Sequence, residues 1–343
     1  MACAVANGKP LSAVQPCILC PSTFHLSYTV RHGPKETCVW RHPFQMSNRR
    51  SVSFCITAIL LVALASTAYA APGQGQVHPE MIVSAQWLSE HLNDPKVVVL
   101  HVGDKRSEYE DGHIPGARFL VLSDFIEGED AELPSPEKLK AAFEKVGVND
   151  DSRVVIYTTA WYPMAGRAYY TLDYLGHGNH AALLDGGIDE WKLEKRPLSK
   201  DEPKIAQGDF TPHVHPEARA LMEEVKKISE QPAKSAALVD SRPDKRYTDG
   251  HIAGATHIYW QETLVDAKNK PVFLPPDKLK ELFAARGIMP GQKLVTYCEI
   301  GLQASHMYFV AKYLGYDAAM FDGSIHQWSH VNMLPVVEGK SLR

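Results

Sequence analysis

The feature that most constrains the fold of this chain is an internal repeat. The segment Asp111-Gly-His-Ile-Pro-Gly-Ala117 recurs later in the chain as Asp249-Gly-His-Ile-Ala-Gly-Ala255. The segment Leu184-Asp-Gly-Gly-Ile-Asp-Glu-Trp191 recurs as Phe321-Asp-Gly-Ser-Ile-His-Gln-Trp328, and three shorter blocks between them recur in the same order. Solenoid repeats span about 20–45 residues, so a repeat this long indicates two tandem domains built from one unit.

Within each copy, short apolar stretches alternate with amphipathic ones. We predict buried strands at 97–102, 154–157, 236–239 and 294–297, and helices at 135–146, 277–286 and 307–314. This alternation is typical of an α/β fold, so we predict two tandem domains, each a parallel sheet flanked by helices. The domains are expected at 78–196 and 213–340. Residues 197–212 combine prolines with charges and lack periodicity, which indicates a linker.

The first 70 residues have a different pattern. Arg49 and Arg50 precede an apolar run of about 14 residues, and Ala68-Tyr-Ala70 follows it. This order is typical of a secretory signal peptide, here at residues 46–70, and it predicts an exported protein, periplasmic or secreted. The apolar run is shorter than the ~20 residues that span a bilayer, so no stable membrane insertion is expected after cleavage.

Residues 1–45 precede the predicted signal peptide. We interpret them as a non-native or unstructured extension, because Met46 begins a signal peptide of normal length. The alternative is a zinc-binding arm that uses Cys17, Cys20 and Cys38, but no second Cys-x-x-Cys pair follows.

The cysteines are distributed unevenly. Five of the six lie in the first 55 residues, so the two repeated units contain one cysteine, Cys298. It directly follows the predicted strand 294–297 and precedes a predicted helix. A strand-to-helix loop offers unpaired backbone N–H groups and the positive end of a helix dipole, so we expect a lowered thiol pKa and a reactive thiolate. Gly301 would let this loop bend around the sulfur.

Together these motifs resemble the tandem-domain rhodaneses, the thiosulfate sulfurtransferase family. The resemblance rests on the Gly-His-Ile-x-Gly-Ala signature in both copies, on Val239-Asp-Ser-Arg-Pro243, on the loop Cys298–Gln303, and on Asp322-Gly-Ser324 with Trp328. It implies that the first domain is inactive, since Thr158 occupies the position of its cysteine, and that the second is catalytic. In the implied reaction, Cys298 takes sulfane sulfur from thiosulfate or a related donor, holds it as a persulfide, and passes it to cyanide or a thiol.

The resemblance also implies roles for the residues around Cys298. Arg246 is implied as a substrate-binding residue that holds the sulfonate of the donor. Asp240 and Arg242 are expected to form an ion pair that supports the loop. Arg167 is expected in the degenerate loop of the first domain, where it is a candidate for the domain interface. The residues that follow the cysteine are the remaining substrate-binding candidates: Glu299, Ile300, Gly301, Leu302 and Gln303.

Other partners are not indicated. No cofactor is implied, and no metal site is expected, because Cys298 and His306 lack a matching pair of ligands. The formal net charge of -4 gives no sign of a nucleic-acid partner. The expected partners are therefore a small-molecule sulfur donor and acceptor, and we predict a monomer.

The loop sequence departs from the family pattern. Thiosulfate-using members carry Arg and Lys directly after the cysteine, whereas this chain has Glu299 and Ile300. A carboxylate there disfavours a dianionic donor, so a less charged persulfide or polysulfide is the alternative to thiosulfate. A non-catalytic persulfide carrier or sulfur-binding protein is the alternative function. A phosphatase on this scaffold would need a Cys-x5-Arg loop, and Ala304 stands at the arginine position.

Overall fold

The computed structural model describes residues 75–159, 161–231 and 236–340. The predicted signal peptide and the extension before it lie outside these residues. Both copies of the repeat lie within one compact unit of the chain. None of the helices in the described ranges has the length and apolar character that crossing a bilayer requires.

The first copy forms a five-stranded sheet. Its strands are β1 (Ile82–Val83), β2 (Val97–Gly103), β3 (Arg118–Val121), β4 (Arg153–Tyr157) and β5 (Ala181–Leu184). Their order is β1-β5-β4-β2-β3, and all neighbouring pairs are parallel. The central strands β2 and β4 are buried on both faces, which explains why their sequences are continuous apolar runs.

In the described residues, the α-helices that flank this sheet are α1 (Ala85–His91), α2 (Arg106–Glu110), α3 (Pro136–Lys145), α4 (Pro163–Tyr174) and α5 (Gly187–Leu193). The sequence explains how α3 begins. Ser135 is its N-cap, with an Oγ that accepts the backbone N–H of Lys138, and Pro136 occupies the first turn. The helix predicted at 135–146 is therefore confirmed to within one residue at each end.

The second copy forms a four-stranded parallel sheet and a separate hairpin. Its strands are β6 (Ala236–Asp240), β7 (Thr256–His257), β8 (Leu264–Asp266), β9 (Lys270–Phe273), β10 (Lys293–Tyr297) and β11 (Ala318–Met320). The parallel sheet has the order β11-β10-β6-β7, and β8 with β9 forms the antiparallel hairpin. A single parallel bridge from Arg219 to Met320 takes the place that β1 has in the first sheet. The helices are α6 (Met222–Glu230), α7 (Asp244–Asp249), α8 (Pro276–Ala285) and α9 (Leu302–Tyr313), followed by a π-helix at His326–Val331.

The two copies also repeat their internal hydrogen bonds. The Tyr157 hydroxyl accepts the backbone N–H of Ile114 at 3.1 Å, and the Tyr297 hydroxyl accepts that of Ile252 at the same distance. The histidine of the Gly-His-Ile motif is hydrogen-bonded to the carbonyl of a tyrosine four residues earlier and stacks on its ring: His113 on Tyr109, and His251 on Tyr247. These histidines therefore have the same structural role in both copies.

The helices α4 and α9 are equivalent in the two copies and pack against each other at the domain interface. A Cβ atom on Gly166 would lie 2.8 Å from the backbone of His306, so the close approach of the helices requires glycine at this position. Edge-to-face aromatic pairs flank the crossing, with ring centroids 4.8 and 5.0 Å apart: Tyr169 with Phe309, and Tyr170 with Tyr308.

Two local predictions are corrected by the structure. The last helix was predicted at 307–314, but α9 starts at Leu302, because Gly301 adopts the left-handed conformation directly before it. The loop after Cys298 is therefore short, and Leu302 and Gln303 lie in the first helical turn. Arg167, expected in a loop, lies within α4 and does face the domain interface.

Candidate active site

A cavity of about 300 Å³ lies where the carboxyl ends of β6 and β10 meet the first domain. Ligand sites of open parallel sheets are found at this end of the strands. Trp161 of the first domain lines the cavity, and the second domain contributes Arg242, Pro243, Arg246, Cys298, Glu299, Ile300, Leu302 and Gln303. The structure thus brings the predicted site residues together around one space, except for Asp240 and Gly301, which are buried and do not line it.

The position of Cys298 is fixed by hydrogen bonds on both sides of its backbone. Its N–H donates to Ser324 Oγ at 3.1 Å, and its carbonyl accepts the N–H of Ile325 at 3.2 Å. Gly301, with φ of 81°, then turns the chain into α9 so that the N-terminal turn of the helix faces the sulfur. The Thr296 hydroxyl donates to the Ala304 carbonyl at 3.0 Å and so ties this turn to β10.

Cys298 is only 1% exposed. Burial raises its pKa above the ordinary value, because a thiolate is poorly solvated there. Hydrogen bonds from three backbone N–H groups, those of Ala304, Ile300 and Gln303, lower the pKa and offset part of this rise. The predicted lowering of the thiol pKa is therefore wrong in its net direction. The sequence indicated the N–H groups but not the depth at which the sulfur lies.

The raised pKa predicts a pH dependence for any reaction that needs the Cys298 thiolate. The thiolate fraction grows as pH rises towards the pKa, so the second-order rate of thiol modification should still be increasing at pH 8.5, about the pKa of a free cysteine. Stopped-flow measurement of Cys298 alkylation between pH 6 and 10 tests this expectation. A rate that levels off below pH 7.5 would contradict it.

Asp240 and Arg242 form an ion pair beside the cavity. Arg242 Nη2 donates to Asp240 Oδ2 at 2.7 Å, and Arg242 Nε donates to Oδ1 at 3.0 Å, with both side chains almost fully buried. The third guanidinium nitrogen, Nη1, lies 3.5 Å from Glu299 Oε2. Arg242 thus joins the sheet to the loop after Cys298 and balances the charge of the carboxylate that departs from the family pattern.

Arg246 lies at the mouth of the cavity, on α7. It is exposed, and among the described residues no carboxylate lies within ion-pair distance of it. Its guanidinium is therefore available to bind an anion that enters the cavity.

A buried ion pair between the two domains lies directly behind the loop. Arg167 of α4 and Asp322, which follows β11, are 0% and 1% exposed, with Arg167 Nη1 2.5 Å from Asp322 Oδ1. A Cβ atom on Gly301 would lie 2.6 Å from the Asp322 carbonyl oxygen and 3.1 Å from Arg167 Nη1. Removing one partner of such a buried pair typically costs about 3–5 kcal/mol of stability. The pair therefore forms a rigid support on which the loop rests.

A segment of the first domain adds to this support. The backbone N–H of Leu133 donates to Asp322 Oδ2 at 2.7 Å, and the Ala131 carbonyl accepts from Arg167 Nη2 at 2.6 Å. Glu132 accepts from Gln327 Nε2 at 2.8 Å, and Asp130 pairs with His326. The backbone N–H of His326 donates in turn to the Glu299 carbonyl at 3.1 Å. The first domain thus fixes the segment from Asp322 to Gln327, and this segment in turn supports the Cys298 loop.

Sequence reasoning missed two of these features. Trp161 lies three residues after Thr158, in the counterpart of the Cys298 loop, and nothing in the sequence indicated that its side chain reaches the site of the other domain. Asp322 was recognised within a family motif, but its pairing with Arg167 was not. Trp161 lies just before α4, and Arg167 lies within it. A prediction that α4 packs against α9 could therefore have indicated that both residues reach the second domain.

No metal centre is visible in the described part of the chain. Within these ranges no group of three or more His, Cys, Asp or Glu side chains is arranged to hold an ion. His306 is hydrogen-bonded through Nε2 to Thr263 Oγ1 at 2.8 Å, within the core of the second domain.

Comparison with known proteins identifies both copies of the repeat. The family model for the rhodanese-like domain matches residues 84–194 and 221–330. The sulfur carrier protein TtuD of Thermus thermophilus is 32% identical, over 78% of this chain and 99% of the relative. The 3-mercaptopyruvate sulfurtransferase of Escherichia coli is 27% identical, over 74% and 96%. The thiosulfate sulfurtransferase of Corynebacterium glutamicum is 29% identical, over 78% and 93%.

Solved structures show the same architecture. The crystal structure of SseA from Escherichia coli, described as a 3-mercaptopyruvate sulfotransferase with the rhodanese fold, matches with a TM-score of 0.65 at 26% identity. The match covers 71% of this chain and 98% of SseA. A structure of EanB in complex with ergothioneine matches with a TM-score of 0.68 at 23% identity, which shows a shared fold alone.

Proposed function

The chain belongs to the family of rhodanese-like domain proteins, and on this basis we propose that it is a sulfurtransferase in which Cys298 carries sulfane sulfur from a small donor to a nucleophilic acceptor. Relatives named as thiosulfate and 3-mercaptopyruvate sulfurtransferases support the reaction class. The main observation is the position of Cys298, which lines the cavity and faces three backbone N–H groups.

The chemistry proceeds in two half-reactions. The Cys298 thiolate attacks the outer sulfur of the donor, a new S–S bond forms, and, with thiosulfate, sulfite leaves with the electron pair of the broken S–S bond. Cys298 then carries a persulfide with a negatively charged outer sulfur, which the backbone N–H groups of the loop can stabilise. Cyanide or a thiolate attacks that outer sulfur, and the Cys298 thiolate leaves, ready for the next cycle.

The other residues have supporting roles in this proposal. Arg246 binds the anionic group of the donor, because it is exposed at the mouth of the cavity. Asp240 and Arg242 support the loop, since Arg242 connects the buried aspartate to Glu299. The first domain provides no nucleophile, since Thr158 occupies the place of the cysteine, and it contributes Trp161 and the support beneath Gly301.

A persulfide carrier is the second candidate function, because the relative from Thermus thermophilus is named as a sulfur carrier protein. The two candidates differ in turnover. An enzyme produces many equivalents of thiocyanate from thiosulfate and cyanide, whereas a carrier is loaded once and waits for a protein acceptor. Single-turnover loading followed by mass spectrometry, compared with steady-state thiocyanate formation, separates them. Loading without turnover would favour the carrier.

Glu299 is expected to weaken the use of thiosulfate. Replacing it with glutamine removes one negative charge from the mouth of the cavity and leaves the pair of Arg242 with Asp240 in place. At this half-exposed position the change is worth about 1 kcal/mol, so kcat/KM for thiosulfate should rise about five-fold. Glutamine is preferred to arginine as the replacement, because an arginine would face Arg242.

The control for this prediction is Glu90→Gln, which removes an exposed carboxylate on α1 and should leave kcat/KM unchanged. The gain in Glu299→Gln should shrink as salt is added, because screening weakens interactions between exposed charges. No gain at low ionic strength, or a gain independent of salt, would show that charge at this position does not select the donor.

We also propose, from the sequence alone, that the protein is exported and acts as a monomer. N-terminal sequencing of the protein recovered from the periplasm or medium tests export, and a mature start within residues 1–45 would contradict the predicted cleavage. Light scattering of the purified protein tests whether it is a monomer in solution, and a mass of two or more chains would contradict this proposal.

A further inference from the structure

The charged side chains around the cavity suit a donor with one negative charge better than a donor with two. Arg242 already faces two carboxylates, Asp240 at 2.7 Å and Glu299 at 3.5 Å, so it offers little attraction to an incoming anion. Arg246 is the one cation lining the cavity for which the described residues show no carboxylate partner. Thiosulfate brings two negative charges, and Glu299 at the mouth opposes both.

The walls of the cavity are largely apolar. The Trp161 ring enters from the first domain, and Pro243, Ile300 and Leu302 enter from the second. Apolar walls bind a ligand by removing apolar surface from water, and thiosulfate has no such surface. The cavity, at about 300 Å³, is at the lower end of the range for sites that hold small organic ligands.

From these features we infer that the donor is a singly charged organic sulfane-sulfur compound, whose anionic group binds Arg246 and whose apolar group packs against Trp161. The inference rests on the proposed sulfurtransferase function and specifies its substrate class. Trp161 is then a specificity-determining residue that the inactive domain contributes to the active one. This gives the first domain a direct role in substrate selection.

Thiosulfonates are suitable probes for this inference, because they carry one charge and one variable organic group. The Cys298 thiolate attacks the outer sulfur, a cysteine persulfide forms, and the organic sulfinate leaves with the electrons of the broken S–S bond. Each donor thus gives the same enzyme intermediate, and cyanide converts it to the same product, thiocyanate. In the proposed reaction the donor and the acceptor react in separate half-reactions, so kcat/KM for the donor reports the first half-reaction alone.

Three donors separate charge from size. Methanethiosulfonate and thiosulfate are both small but differ by one charge, whereas benzenethiosulfonate and methanethiosulfonate share one charge but differ in apolar size. Each kcat/KM is divided by the uncatalysed rate with cyanide to correct for intrinsic reactivity. We expect a higher corrected kcat/KM for methanethiosulfonate than for thiosulfate. The corrected kcat/KM for benzenethiosulfonate should exceed that for methanethiosulfonate at least about ten-fold, because its ring is buried in the cavity.

Substitutions test the two contacts separately. Trp161→Ala should lower the ratio of kcat/KM for benzenethiosulfonate to kcat/KM for methanethiosulfonate at least about five-fold. Trp161→Phe keeps an aromatic ring and should retain most of the preference for benzenethiosulfonate. Trp87→Ala removes a similarly half-buried tryptophan far from the cavity and should leave the ratio unchanged. Arg246→Met keeps an apolar stem but removes the charge, so it should lower kcat/KM for both thiosulfonates about ten-fold.

The outcomes distinguish this inference from the function on which it rests. Thiosulfate as the best donor, or an unchanged ratio in Trp161→Ala, would overturn the substrate class while leaving the sulfurtransferase intact. If none of the three donors places sulfur on Cys298, the proposed function fails, and the inference fails with it.

Discussion

Replacing Cys298 with serine is expected to abolish sulfur transfer, with a loss of at least about a thousand-fold in thiocyanate formation. A serine hydroxyl does not attack sulfane sulfur at neutral pH and cannot form a persulfide. Serine is nearly the same size as cysteine, and the hydrogen bonds that place residue 298 use its backbone, so the fold should be retained. Donor-treated wild-type protein should gain one sulfur atom, about 32 Da, on the Cys298 peptide.

The matched control for this prediction is Thr158→Ala. Thr158 occupies the equivalent position in the first domain and is equally buried, but no nucleophile is expected there. This variant should keep most of the activity. Full turnover in Cys298→Ser, or a persulfide found on no peptide of the wild type, would contradict the mechanism. Circular dichroism and melting curves of both variants check that they fold.

Replacing Gly301 with alanine is expected to displace the Cys298 loop and to lower activity at least about a hundred-fold, the typical effect of a reacting group misplaced by about 1 Å. Two costs combine at this residue. Its φ of 81° is a conformation that costs an L-residue about 1–2 kcal/mol. In addition, the new methyl group would lie 2.6 Å from the Asp322 carbonyl oxygen, which the buried pair with Arg167 holds in place.

A second glycine separates the strain from the clash. Gly287, after α8, has a similar φ of 74°, but a Cβ atom there would contact nothing within 4 Å. Gly287→Ala should therefore lose about 1 kcal/mol of stability without loss of activity. Equal losses of activity in the two variants, or normal kcat/KM in Gly301→Ala, would show that the support beneath the loop does not position Cys298.

Much of the fold follows from the sequence because its determinants are local. The repeat alone predicts two similar domains, and apolar runs such as Val97–Gly103 mark strands that are buried on both faces. Ser135 and Pro136 mark the start of α3. Cys298 could be placed at the end of a strand and the start of a helix for the same reason. The early start of α9 was missed, since a glycine in the left-handed conformation can either extend a loop or begin a helix.

The sequence by itself therefore determined the repeated α/β unit, the position of the single cysteine of the repeat, and the residues that follow it. Only the tertiary structure decided the environment of that cysteine. Trp161 lines its cavity, Arg167 pairs with Asp322 beneath its loop, and Arg242 balances Glu299. Burial also reversed the expected direction of the thiol pKa. The physical reason is that strands and helix ends depend on neighbouring residues, whereas burial and ion pairing depend on which surfaces meet when two domains pack.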